Sequence, residues 1–136
     1  MIRRAGAVGA TLLASTFLMS ACGESADSTP VPIFNVQLGP GFTISPAELT
    51  VPAGPFEVVV TNQDPQLPHS LVTLTRSTAR LAPGQSQRLI IKRGHEPEVG
   101  DYRMFCDVPG HQQQGQVGVV HVVTATAAST SGVTAP

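Results

Sequence analysis

An all-β fold, a Greek-key sandwich or barrel of seven or eight short strands, is predicted by three features of this chain. Apolar, β-branched runs recur at short intervals, each bounded by proline, glycine or asparagine. No stretch sustains the 3.6-residue periodicity of an amphipathic helix. The composition agrees: 13 glycines and 12 prolines among 136 residues, few charges and no tryptophan favour strands joined by tight turns. Once the ends are discounted, about 100 residues remain, enough for one domain with a single core.

The elements follow in chain order. Arg3 and Arg4 precede a small, apolar stretch from Ala5 to Met19, which is too short for a comfortable membrane span. Met19-Ser20-Ala21-Cys22 resembles a bacterial lipobox. Residues 1–21 are therefore read as a lipoprotein-type signal peptide, with Cys22 the lipid-modified first residue of the mature chain and an ordinary secretory signal as the alternative. Either way the domain is expected to work outside the cytoplasm, anchored to the outer face of a bacterial membrane by the lipid or else periplasmic or secreted. Residues 22–32 are small, polar and punctuated by proline, the composition of a flexible tether.

The folded domain is expected over residues 33–124. Its predicted strands are Ile33 to Leu38, Phe42 to Ile44, Glu48 to Val51, Phe56 to Thr61, Ser70 to Thr75, Ser86 to Lys92, Tyr102 to Cys106 and Gln116 to Thr124. Arg76 to Leu81 is expected to form one helical turn. Met104 alternates onto the face of Tyr102 and Cys106 and is assigned to the core. Residues 125–136, rich in Ala, Ser and Thr, are read as a disordered tail.

Charge narrows the partners. The formal net charge is -1, and two of the arginines belong to the leader, so the mature chain is acidic. No basic patch points to nucleic acid, and the domain is expected to act as a monomer.

Cysteine and histidine carry the chemistry. If Cys22 is lipidated, Cys106 is a lone thiol in an oxidising compartment, where it is either a small buried core residue or a metal ligand. Its setting favours the ligand. His111 lies five residues later, with Pro109-Gly110 turning the chain between them, and His69 opens a strand after the stiff loop Asp64-Pro65-Gln66-Leu67-Pro68. In a Greek-key sandwich that strand start can lie beside the loop after Cys106. His95 reads as a solvated loop residue and His121 as a satisfied or edge-facing strand residue, neither as a ligand. One thiolate with two imidazoles is the donor set of blue-copper electron transfer, whereas structural zinc takes four firm ligands. One copper ion, cycling between Cu(I) and Cu(II), is the expected cofactor.

The segments Phe42 to Gly54, Val60-Thr61-Asn62, Pro68-His69-Ser70, Leu81 to Ser86 and, most strongly, Gly100 to His111 resemble the cupredoxins, the family of plastocyanin and azurin. The resemblance implies a cupredoxin-like sandwich in which His69, Cys106 and His111 are equatorial copper ligands. It also implies that the Ser70 backbone N–H bonds to the Cys106 sulfur and tunes it. Many members carry an axial methionine five residues after the second histidine. Gln116 occupies that place here, as in the stellacyanin branch, and is expected to be the axial ligand.

Three function classes follow. The leading one is an extracytoplasmic electron carrier with a mononuclear type 1 copper site, meeting other redox proteins transiently through the polar, nearly uncharged surface of Gln112, Gln113 and Gln114. The alternative is a copper-binding protein for delivery, storage or sensing. An enzyme is disfavoured, because the sequence offers neither a second metal cluster nor a nucleophile with its base.

Overall fold

The structure, a computed structural model, describes residues 30–127. The leader, Cys22 and most of the tether lie outside these residues, as does the tail beyond Ala127. Two sheets pack face to face. One carries the order β2-β1-β4-β7 and the other β3-β9-β8-β5-β6. Their strands are β1 (Ile33–Gly39), β2 (Thr43–Ser45), β3 (Glu48–Pro52), β4 (Phe56–Asn62), β5 (Val72–Thr73), β6 (Arg76–Ser77), β7 (Ser86–Ile91), β8 (Gly100–Phe105) and β9 (Val117–Val123).

Period-two alternation builds the core. Along β4, Phe56, Val58, Val60 and Asn62 are buried while their neighbours are half-exposed. Val36 and Leu38 of β1 and Leu89 and Ile91 of β7 line the same inner face, opposed by Leu49 and Val51 of β3 and Val120 and Val122 of β9. Met104 is fully buried in this core, as its place in the alternation predicts. Its cross-strand partner is Gly118, where a Cβ would lie 2.5 Å from both the Met104 methyl group and the Ala47 carbonyl oxygen. Glycine there makes room for the long side chain opposite.

Two pairings are parallel. β1 runs beside β4, from Ile33 opposite Glu57 to Leu38 opposite Asn62, and β3 runs beside β9. Parallel neighbours cannot be joined by a tight hairpin, so the chain crosses between sheets and produces the Greek-key sandwich.

Two expectations between Ser70 and Leu81 are overturned. Arg76 to Leu81 forms no helical turn. Arg76–Ser77 is β6, and Leu81 makes a two-way backbone bridge with His69, N to O at 3.0 and 2.7 Å. The single strand expected from Ser70 to Thr75 is instead a short hairpin, with Val72 opposite Ser77 and Thr73 opposite Arg76. Leu74 turns it with a φ of 51°, a conformation usually left to glycine or asparagine. The turn therefore carries no sequence signal, and the strand count among the described residues rises to nine. Residues 125–127 close a helical turn after β9, where the disordered tail was expected to begin.

Candidate metal centre

The site forms at the end of the sandwich where β4 and β8 finish and β9 begins. Three chain segments supply it. The first is the loop from Cys106 to Gln116, pinched at its base by the Cys106 N–H donating to the Gln116 carbonyl at 3.1 Å. Within it the His111 N–H bonds to the Val108 carbonyl, and the Gln116 N–H bonds to that of His111, both at 3.1 Å. Gly110 and Gly115 take φ values of 88° and 103°, which let so short a loop turn twice. The second segment is the loop Asn62 to Leu71, and the third is the start of β2.

These constraints bring four donors together. The ligand atoms of His69, Cys106 and His111 lie within 4.8 Å of one another. His69 Nδ1 is 3.0 Å from His111 Nδ1, which is 3.6 Å from Cys106 Sγ and 3.2 Å from Gln116 Oε1. His69, Cys106 and Gln116 are wholly buried, and His111 is 9% exposed. Gln116 is oriented by its own amide: Nε2 donates to the Thr43 carbonyl at 3.2 Å, which turns Oε1 toward the histidines. Phe42 packs edge-on against the His111 ring, with centroids 5.0 Å apart.

The surrounding hydrogen bonds position each donor. The Ser70 N–H donates to Cys106 Sγ at 3.4 Å. The Ser70 hydroxyl donates to the Asp107 carboxylate and lies 3.5 Å from the same sulfur. Asp64 Oδ2 lies 3.1 Å from His69 Nε2, and its Oδ1 accepts the N–H groups of Gln66 and Leu67 at 2.8 and 2.9 Å. Those two N–H groups, with His69 adding to them, hold the Asp64 carboxyl down at about 2. Asn62 braces the loop from beneath: its Oδ1 accepts the Asp64 N–H, and its Nδ2 donates to the carbonyls of Leu67 and Leu81.

The donor set fits copper. A thiol, two imidazoles and an amide oxygen, facing inward in a buried pocket on a stiff β scaffold, match soft-ligand copper better than a four-ligand zinc site. The facing nitrogens add to this: Nδ1 of His69 and Nδ1 of His111 point at each other across 3.0 Å inside the cluster, while the far nitrogen of His69 faces Asp64.

The other expected roles fall outside this cluster. His95 is exposed in the loop after β7. His121 pairs across strands with Asp101, Nδ1 to Oδ1 at 2.7 Å. Asp64, Asn62, Asp107 and Phe42 were not anticipated. Asp64 had a faint signal, an acidic residue in the same short loop as His69, masked by the turn reading of Asp-Pro.

A model of the family described as the cupredoxin-like domain matches residues 9–119 of the chain. No curated protein matches it significantly. Among solved structures, a reduced auracyanin from the photosynthetic bacterium Roseiflexus castenholzii superposes with a TM-score of 0.61 at 21% identity, over 69% of this chain and 98% of that one. Auracyanin B gives 0.60 at 20% identity, over 71% and 91%. An azurin of the obligate methylotroph Methylomonas sp. strain J gives 0.58 at 18%, over 69% and 99%. At these identities the likenesses speak to the fold alone.

Proposed function

The chain belongs to the cupredoxin-like domain family, and from that premise we propose that it is an electron carrier of the extracytoplasmic space. His69, Cys106 and His111 would hold one copper ion, with Gln116 as a weaker fourth donor. The convergence of two imidazole Nδ1 atoms and a thiol sulfur in one buried pocket carries this reading. Copper, when bound, would supply a one-electron Cu(I)/Cu(II) couple.

The protein's own part is to hold, bury and connect. Cys106 and Gln116 are locked to each other through the backbone at the base of the loop, and His69 is clamped to Leu81, so three of the donors sit on paired backbone. That rigidity suits electron transfer, where little rearrangement should separate the two oxidation states. Burial keeps water and small substrates from His69, Cys106 and Gln116, which supports a carrier over an enzyme. His111 alone of the four reaches the surface, next to half-buried Gln112 and exposed Gln113 and Gln114. We take this uncharged surface as the place where redox partners dock transiently, by shape more than by charge. The basic, apolar leader and Cys22 support a lipid-anchored location on the outer face of a bacterial membrane.

The test is titration of the full chain with one equivalent of Cu(II), followed by a mild reductant. An intense visible thiolate-to-copper band with narrow copper hyperfine splitting, bleaching reversibly on reduction, is expected. Copper bound without that band would leave a protein of copper delivery, storage or sensing, and no copper binding would remove the reading.

Gln116→Met tests the fourth donor. Its amide oxygen is harder than a thioether and favours the oxidised ion. The substitution is expected to raise the reduction potential by about 59 mV or more, a tenfold change in the one-electron equilibrium. Protein-film voltammetry measures it, and an unchanged or lower value would exclude Gln116 from the site.

A further inference from the structure

The contact between Asp64 and His69 does more than fill a loop. Asp64 is 4% exposed and five residues from a histidine whose other nitrogen faces the donor cluster. Its carboxylate is placed by its own surroundings: two backbone N–H groups take Oδ1, and its N–H is tied to Asn62. Only Oδ2 is left for the imidazole, 3.1 Å away. A carboxylate is acceptor-only, so the hydrogen in that bond belongs to His69 Nε2.

We propose that Asp64 is a positioning residue for the copper site, committing His69 to the tautomer whose bare Nδ1 faces Cys106 and His111. The proposal rests on the copper reading above. An imidazole free to choose would spend part of its time with the proton on Nδ1, closed to a metal. A buried acceptor on the far nitrogen removes that state and holds the ring in plane.

The geometry yields an unusual discriminating variant. In Asp64→Asn the amide oxygen is claimed by the Gln66 and Leu67 N–H groups, since only an oxygen can accept them. The amide nitrogen then occupies the place of Oδ2 and donates to His69 Nε2, driving the proton onto Nδ1. The near-isosteric replacement should therefore harm the site at least as much as Asp64→Ala, which imposes neither tautomer. If Asp64 served only to brace the loop, asparagine, which keeps the brace, would be the milder change.

Two readouts decide the matter in the full chain and both variants. In the copper-free protein, ¹⁵N–¹H correlation spectra of the imidazoles should place the His69 proton on Nε2 in the wild type and on Nδ1 in Asp64→Asn. Cu(II) titration should show a loss of about 10- to 100-fold in affinity for each variant, with asparagine no better than alanine. An Nε2 proton retained in Asp64→Asn, or affinity closer to wild type in asparagine than in alanine, would overturn the proposal. Failure of the copper reading looks different: the wild type itself would show no thiolate-to-copper band, while the copper-free spectra would still report which nitrogen carries the proton.

Discussion

Replacing Cys106 by serine is expected to abolish the intense visible band of the copper-loaded protein entirely while leaving the fold in place. The band requires a thiolate bound to the metal, and a serine hydroxyl is a harder donor that stays protonated at neutral pH. The pocket can accept the substitution. Cys106 is fully buried, but its sulfur faces the Ser70 N–H, the Ser70 hydroxyl and His111 Nδ1, all of which a hydroxyl can meet. The change in unfolding free energy should stay within about 1 kcal/mol. Optical spectra after Cu(II) addition, with circular dichroism to follow folding, make the comparison. A band of wild-type intensity in Cys106→Ser would place the chromophore elsewhere and remove Cys106 from the site.

The second large effect lies at the other end of the molecule. Phe56→Ala is expected to lower the free energy of unfolding by about 3–5 kcal/mol. Phe56 is fully buried at the start of β4, between β1 and β7, and its ring meets that of Phe34 edge-on, with centroids 5.8 Å apart. Alanine would remove the largest wholly buried side chain among the described residues and leave a cavity that the paired strands around it cannot close. Domains of this size are stable by about 5–15 kcal/mol, so the loss is a large fraction of the whole. Urea unfolding should show a lower midpoint with an unchanged slope. Six residue steps along an extended strand, about 20 Å, separate Phe56 from Asn62 beneath the metal centre. Whatever fraction remains folded should therefore bind copper with wild-type spectra. A loss below about 1 kcal/mol would show that the core is not closed by this ring.

The two substitutions separate what the fold does from what the site does. One removes the chemistry from an intact sandwich, and the other weakens the sandwich far from the chemistry. The proposed function needs both parts, because the donors are spread over loops whose only common support is the end of the two sheets.

Local information in the chain was enough for the all-β class, for the cores of most strands, and for the loop that joins Cys106, His111 and Gln116. Those features depend on residues close in sequence: alternation along a strand, a Pro-Gly turn, and side chains five positions apart. Tertiary structure decided the rest. It replaced the expected helical turn at Arg76 with a hairpin, since Leu74 adopts a left-handed conformation that its side chain does not advertise. It brought His69 across to Cys106 and His111 by pairing β5, three residues further on, with the end of β8, and turned the amide of Gln116 by a bond to Thr43, 73 positions away. It also converted Asp64 from a turn residue into the acceptor that faces His69. A hydrogen bond between residues remote in sequence, or an acid's choice between solvent and a buried imidazole, depends on where the strands end in space, and no pattern along the chain encodes that directly.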